Sequence, residues 1–175
     1  MSNARKAPLV AALFLSTGFL YSLAGQTVEI AGNASLGAVI SDEGNPSTTG
    51  GVGASLGWPV NSNHKLQFDY NFAAVRFPFD SHFLTASYVL QGKSPGVRPF
   101  FQIGAGVEIQ KFDDPPFLPP GFPFDNSKTN LALVFGGGAS IDVGKRFFIR
   151  PELRSYAVFG PAVFLLPMLT VGARF

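Results

Sequence analysis

The octapeptide from Lys65 to Phe72 alternates without a break, with Lys65, Gln67, Asp69 and Asn71 on one side and Leu66, Phe68, Tyr70 and Phe72 on the other. Successive side chains of a β-strand point to opposite faces, so this segment lies between a strongly apolar medium and a strongly polar one. Seven further segments read as strands, most with the same period. The first, around Val28 to Ile40, sets Val28, Ile30, Ala34, Leu36 and Ala38 against Glu29, Asn33 and Ser35. The second, Gly51 to Trp58, sets Val52, Leu56 and Trp58 against Ser55 and three glycines. The fourth, His82 to Gln91, opposes Leu84, Tyr88 and Leu90 to Thr85, Ser87 and Gln91; the fifth, Arg98 to Gln110, opposes Phe101, Ile103 and Val107 to Gln102, Glu108 and Gln110. In the sixth, Leu131 to Val143, Leu133, Phe135 and Ile141 face away from Gly136, Ser140 and Asp142. The seventh, Phe147 to Tyr156, opposes Ile149 and Leu153 to Arg150, Glu152 and Arg154, and the eighth ends with Leu169, Val171, Ala173 and Phe175 against Thr170, Gly172 and Arg174.

Three connections are tight: Pro59 to His64, Gly92 to Val97 and Gly144 to Arg146. They carry the Asn, Gly and Pro that hairpin turns require. The others, Ser41 to Thr49, Val75 to Ser81, Phe112 to Thr129 and the stretch around Gly160, are mostly longer or richer in Pro and Phe. Segments long enough for a tilted strand to cross a bilayer, short turns on one rim and longer loops on the other predict an all-β fold. The expectation is an eight-stranded antiparallel up-and-down transmembrane β-barrel over residues 27–175. Charge follows the same division, with Lys93, Lys145, Arg146 and His64 at the tight turns and Asp42, Glu43, Asp80, Asp113, Asp114 and Asp125 at the loops.

Composition agrees: 46% of residues are hydrophobic and 14% charged, with 19 Phe and 20 Gly, which favours β-structure with much apolar surface. Beyond the N-terminus no uncharged apolar run reaches about 18 residues, so membrane crossing by helices is excluded there. The N-terminus itself has Arg5 and Lys6, an apolar stretch from about Leu9 to Leu20, and Ser22-Leu23-Ala24 before Gly25. These features predict a cleavable signal peptide over residues 1–24. An uncleaved anchor helix is the alternative, and Pro8 and Gly18 weaken it. Removing Arg5 and Lys6 takes Lys+Arg from 13 to 11, equal to the 11 Asp+Glu, so the mature chain is formally neutral. It lacks the basic excess that a nucleic-acid partner calls for.

The polar face is rich in glycine where it is not charged, unlike a solvated face. Its ionisable residues are Glu29, Lys65, Asp69, Glu108, Asp142, Arg150, Glu152, Arg154 and Arg174, five acids against four bases. A barrel of eight strands has room inside only for its own side chains. Buried charges are costly unless paired, so this near-balanced set predicts a lumen charge network and a filled, poorly conducting interior. The face of a soluble sheet can also carry mixed charge, without needing balance.

Several motifs carry a family resemblance: Val97-Arg98-Pro99-Phe100 leading into Gly104-Ala105-Gly106, the run Phe135-Gly136-Gly137-Gly138, and Ile149-Arg150-Pro151-Glu152-Leu153-Arg154. Together with the terminal Phe175 they resemble the later strands of eight-stranded OmpA-like outer-membrane β-barrel proteins, over essentially the whole mature chain. The resemblance implies a lumen salt-bridge network, onto which Arg150, Glu152 and Arg154 map best. It also implies outer-membrane lipid as surroundings and recognition of the last strand by the barrel-assembly machinery, here through Val171, Gly172 and Phe175. Ala173 stands where an aromatic residue is often found.

The segment from Phe112 to Ser127 holds Pro115, Pro116, Pro119, Pro120 and Pro123 with Phe117, Phe122 and Phe124, and should be stiff because proline fixes φ. The tetrapeptide Phe77-Pro78-Phe79-Asp80 recurs as Phe122-Pro123-Phe124-Asp125. Phe77, Phe79, Phe117, Phe122 and Phe124 are therefore candidates for recognising an extracellular ligand, or anchors at the lipid headgroup level. Lipid A-modifying enzymes exist on such barrels. The sequence offers no nucleophile and base at a usable spacing, because Ser81 and His82 are adjacent on a strand and point to opposite faces. No catalytic residue, cofactor or metal site is expected. A secreted lipocalin-like binder shares eight up-and-down strands and is the main alternative. It would place apolar groups inside and charge outside.

Overall fold

The computed structural model describes residues 27–41, 46–75, 79–112, 127–160 and 162–175. They form β1 (Glu29–Ser41), β2 (Pro46–Pro59), β3 (His64–Val75), β4 (Phe79–Gln91), β5 (Val97–Phe112), β6 (Ser127–Val143), β7 (Phe147–Val158) and β8 (Ala162–Arg174). Each strand pairs antiparallel with its neighbours in sequence, and β1 pairs with β8 to close the barrel. Val28 and Phe175 complete the seam, the amide of each donating to the carbonyl of the other at 3.1 and 3.0 Å. Closure pairs the sheet edges that would otherwise need water.

The alternation of Lys65 to Phe72 appears directly as burial within β3. Lys65, Gln67, Asp69 and Asn71 are at most 5% exposed, whereas Leu66, Phe68 and Tyr70 are 42–51% exposed. All eight predicted strands are present, but three begin earlier than their apolar pattern: β2 at Pro46 rather than Gly51, β4 at Phe79 rather than His82, β6 at Ser127 rather than Leu131. The predicted loops shrink accordingly. Only the β5–β6 connection, residues 113–126, is much longer than the tight turns. Ladder hydrogen bonds need no apolar side chains, so the strands run on through polar positions such as Ser47 to Thr49. The signal-peptide segment 1–24 lies outside the described residues. Two of the tight turns use glycine in the left-handed region, Gly96 with φ 78° and Gly144 with φ 69°.

The outward face is apolar around the whole circumference, with Leu36, Val52, Phe68, Leu84, Phe101, Ile103, Leu131, Leu153, Leu169 and Val171 all exposed. Among described strand residues pointing outward, charge appears only at Asp80 and Lys111, which lie opposite each other close to the loop rim. So continuous an apolar surface is incompatible with water as the outer medium and fits hydrocarbon. Two pairs of polar tips meet on this face. Tyr88 Oη lies 2.6 Å from His64 Nδ1 near the turn rim, and Tyr70 Oη lies 2.8 Å from His82 Nδ1 near the loop rim. Aromatic residues with satisfied polar ends suit the two interfaces of a bilayer.

Candidate functional site

The interior divides at the level of Arg154 into a charged half near the tight turns and an apolar half near the loops. In the charged half, Glu29 of β1 lies where β3, β7 and β8 converge. Its Oε2 accepts from Lys65 and, at 2.9 Å, from Arg150 Nη2, while its Oε1 accepts from Arg174 Nε at 2.9 Å. Asp142 of β6 accepts from Arg98 and Arg174, both at 2.6 Å, and Arg174 also donates to Ser140 Oγ at 3.2 Å. The Arg150 guanidinium is held between aromatic faces, 4.7 Å from the Phe148 centroid and 5.0 Å from that of Phe100. Cation–π contacts of this kind stabilise a desolvated cation by about 2 kcal/mol or more.

Glycine makes the room. A methyl group at Gly172 would lie 2.6 Å from Ala31 Cβ and overlap the Phe148 ring, and one at Gly57 would lie 3.2 Å from Glu29 Cβ and 3.3 Å from Lys65 Cδ. Long charged side chains from one strand thus fill space that small residues leave on another.

One step further in, Arg154 forms an ion pair with Asp69 at 3.1 Å and donates to Glu152 at 2.8 Å, and Thr170 Oγ1 donates to the same Glu152 oxygen at 3.1 Å. Gln67 links the two clusters, accepting from Arg150 at 3.2 Å and donating to Asp69 at 2.9 Å. Tyr156 Oη caps Arg154 at 3.2 Å and receives Asn71 Nδ2 at 2.9 Å.

Beyond Tyr156 the lumen is mostly carbon, with one buried polar group around Glu108. Phe83 stacks on Tyr156 with centroids 4.3 Å apart and meets Phe164 edge-on at 5.0 Å. Val39, Val75, Val134, Val158, Leu166 and Met168 complete a continuous buried cluster with them. The interior is therefore not a polar lumen throughout, which corrects the picture drawn from glycine and charge alone.

Eight of the nine predicted inward ionisable residues take part in ion pairs. Glu29, Lys65, Asp142, Arg150 and Arg174 meet in one cluster, Asp69, Glu152 and Arg154 in the other. Glu108 stands apart in the loop half, fully buried, accepting from Ser81 Oγ at 2.7 Å and Asn130 Nδ2 at 3.0 Å. Arg98 was missed although it shares the parity of Gln102 at the start of the fifth strand. The cation-binding faces of Phe100 and Phe148, the donor Thr170 and the neutral links Gln67, Asn71 and Tyr156 carried no charge pattern to mark them.

Ser81 and His82 do point to opposite faces, one to Glu108 and the other to Tyr70. Among the described residues no three His, Asp or Glu side chains are grouped to hold a metal. Val171 faces outward, Gly172 inward, and Phe175 is exposed beside the β1–β8 seam. Phe79 opens β4 opposite Phe112, whereas Phe77, Phe117, Phe122 and Phe124 lie outside the described residues.

No protein-family model matches the sequence, and no curated protein matches it either. Solved structures do. Neisserial surface protein A superposes with a TM-score of 0.72 at 16% identity, covering 85% of this chain and 97% of that one. Ail, the attachment invasion locus protein of Yersinia pestis, crystallised with the heparin analogue sucrose octasulfate, gives 0.60 at 18% identity, covering 86% and 99%. The outer membrane enzyme PagL gives 0.52 at 16% identity, covering 81% and 97%. The fold of this chain is that of the eight-stranded outer-membrane β-barrels.

Proposed function

We infer that the chain is an exported integral outer-membrane protein with a sealed lumen, and that it acts through its surface, as an envelope-structural or adhesive protein. The observation that carries this reading is the aromatic layer of Phe83, Tyr156 and Phe164 lying directly above the Arg154 cluster. A solute would have to displace both layers together, and cores packed to this extent resist such displacement. Function is then left to the rim, where the Phe- and Pro-rich segment 113–126 is the longest connection, and to an unidentified extracellular ligand. The names of Neisserial surface protein A and of Ail support surface exposure and attachment. Barrel-assembly machinery would take up the last strand through Val171, Gly172 and Phe175, after removal of residues 1–24.

The secreted lipocalin-like alternative is disfavoured by the apolar exterior, which a soluble protein could not expose. The enzyme reading loses its best pair because Ser81 and His82 are separated by the barrel wall. Membrane fractionation with a heat-modifiability gel tests the proposal. The expected result is a heat-modifiable band in the outer-membrane fraction, and recovery of the mature protein in soluble periplasm or medium would refute it.

A further inference from the structure

The charge balance of the whole lumen conceals a local imbalance. Lys65, Arg98, Arg150 and Arg174 share only two carboxylates, Glu29 and Asp142. Glu29 alone receives three cations, two on Oε2 and one on Oε1. The layer above has one cation, Arg154, against Asp69 and Glu152. That layer offsets one of the two excess positive charges through Gln67, and the remaining acid, Glu108, is held by Ser81 and Asn130 in the loop half. One cation's worth of charge near the tight turns thus lacks a nearby side-chain counter-charge among the described residues. The side chains of Lys65, Arg150 and Arg174 are 7%, 2% and 13% exposed, and that of Arg98, nearer the rim, is 24% exposed. Excess charge in such a setting is costly and attracts a counter-ion.

A cavity of about 390 Å³ opens at this point to the turn rim, lined by Glu29, Lys65, Gln91, Arg98 and Arg174 among others. Arg98 Nε and Gln91 Nε2 are buried donors with no protein acceptor. We propose that this turn-rim cavity is a binding site for one small soluble oxyanion, a phosphate or carboxylate group, which completes the charge balance of the lower lumen. The planar guanidinium of Arg98 and the ammonium of Lys65 offer the donor geometry that such an oxyanion requires. The site is independent of the surface role proposed above, since it lies at the opposite rim and needs only the barrel itself.

The test uses the full mature protein folded in a neutral detergent, with inorganic phosphate as probe and sodium chloride at equal ionic strength as control. Thermal unfolding is followed by heat-modified gel migration and by Trp58 fluorescence. Phosphate should raise the midpoint saturably above the chloride control, and Arg98→Gln should weaken the phosphate response at least tenfold. Gln91→Glu places a carboxylate in the cavity. It should raise the midpoint without phosphate and abolish the phosphate response. Identical midpoints in phosphate and chloride for the unaltered protein would overturn the proposal. So would a Gln91→Glu protein that folds but keeps the full phosphate response.

Discussion

In the half of the lumen near the tight turns the long side chains are charged and tied to one another across the barrel, whereas towards the loops Phe83, Val134, Val158 and Phe164 fill the cross-section mostly with carbon. The two solutions differ in what holds them. Charged filling depends on partners: each ion is tolerable only while its neighbours remain, and loss of one strands the others in a desolvated space. Apolar filling depends on volume, and its loss scales with the cavity left behind. The charged half is thus the more sensitive to loss of a single partner, and the apolar half to loss of volume.

The sharpest way to break the comparison is to remove the carboxylate on which three cations converge. Glu29→Gln should destabilise the folded barrel by about 3–5 kcal/mol, read from denaturant unfolding in lipid vesicles, because Lys65, Arg150 and Arg174 lose their common partner. Adding Lys65→Met to that variant should recover part of the loss. If the double variant is as unstable as the sum of the two single ones, the cations are not coupled through Glu29.

Leu166→Ala in the apolar half should cost about 2–3 kcal/mol, with no rescue by any charge change. Ser81→Ala, which takes one donor from the buried Glu108 carboxylate, should cost about 1–2 kcal/mol in the same assay. The smallest effect belongs to the rim. If the segment acts in recognition, exchanging Phe122 and Phe124 for Ser should move stability by less than about 0.5 kcal/mol. A changed adhesion or ligand-binding phenotype with intact heat modifiability would support recognition by this segment, and lost assembly would assign it to anchoring.

The difference between the halves also explains what the sequence disclosed. Period-two alternation is legible only where the two faces differ in polarity. It is plain in β3, where Lys65, Gln67 and Asp69 interleave with Leu66, Phe68 and Tyr70, and in β7, where Arg150, Glu152 and Arg154 interleave with Ile149 and Leu153. The first part of β8 reads Ala-Val-Phe-Leu-Leu-Pro-Met-Leu, apolar on both faces, so nothing marks Phe164, Leu166 and Met168 as interior. The inward ionisable residues could be enumerated from parity, but their partners could not. Glu29 and Arg174 are 145 positions apart, and their contact follows from barrel closure and register. Arg98 shows the same limit, as its role emerges only when β5 and β6 align it with Asp142.

If the two layers together close the bore, single-channel recording of the purified barrel in a planar lipid bilayer should show no large, stable conductance. Long-lived openings of the size formed by general diffusion porins would contradict that closure.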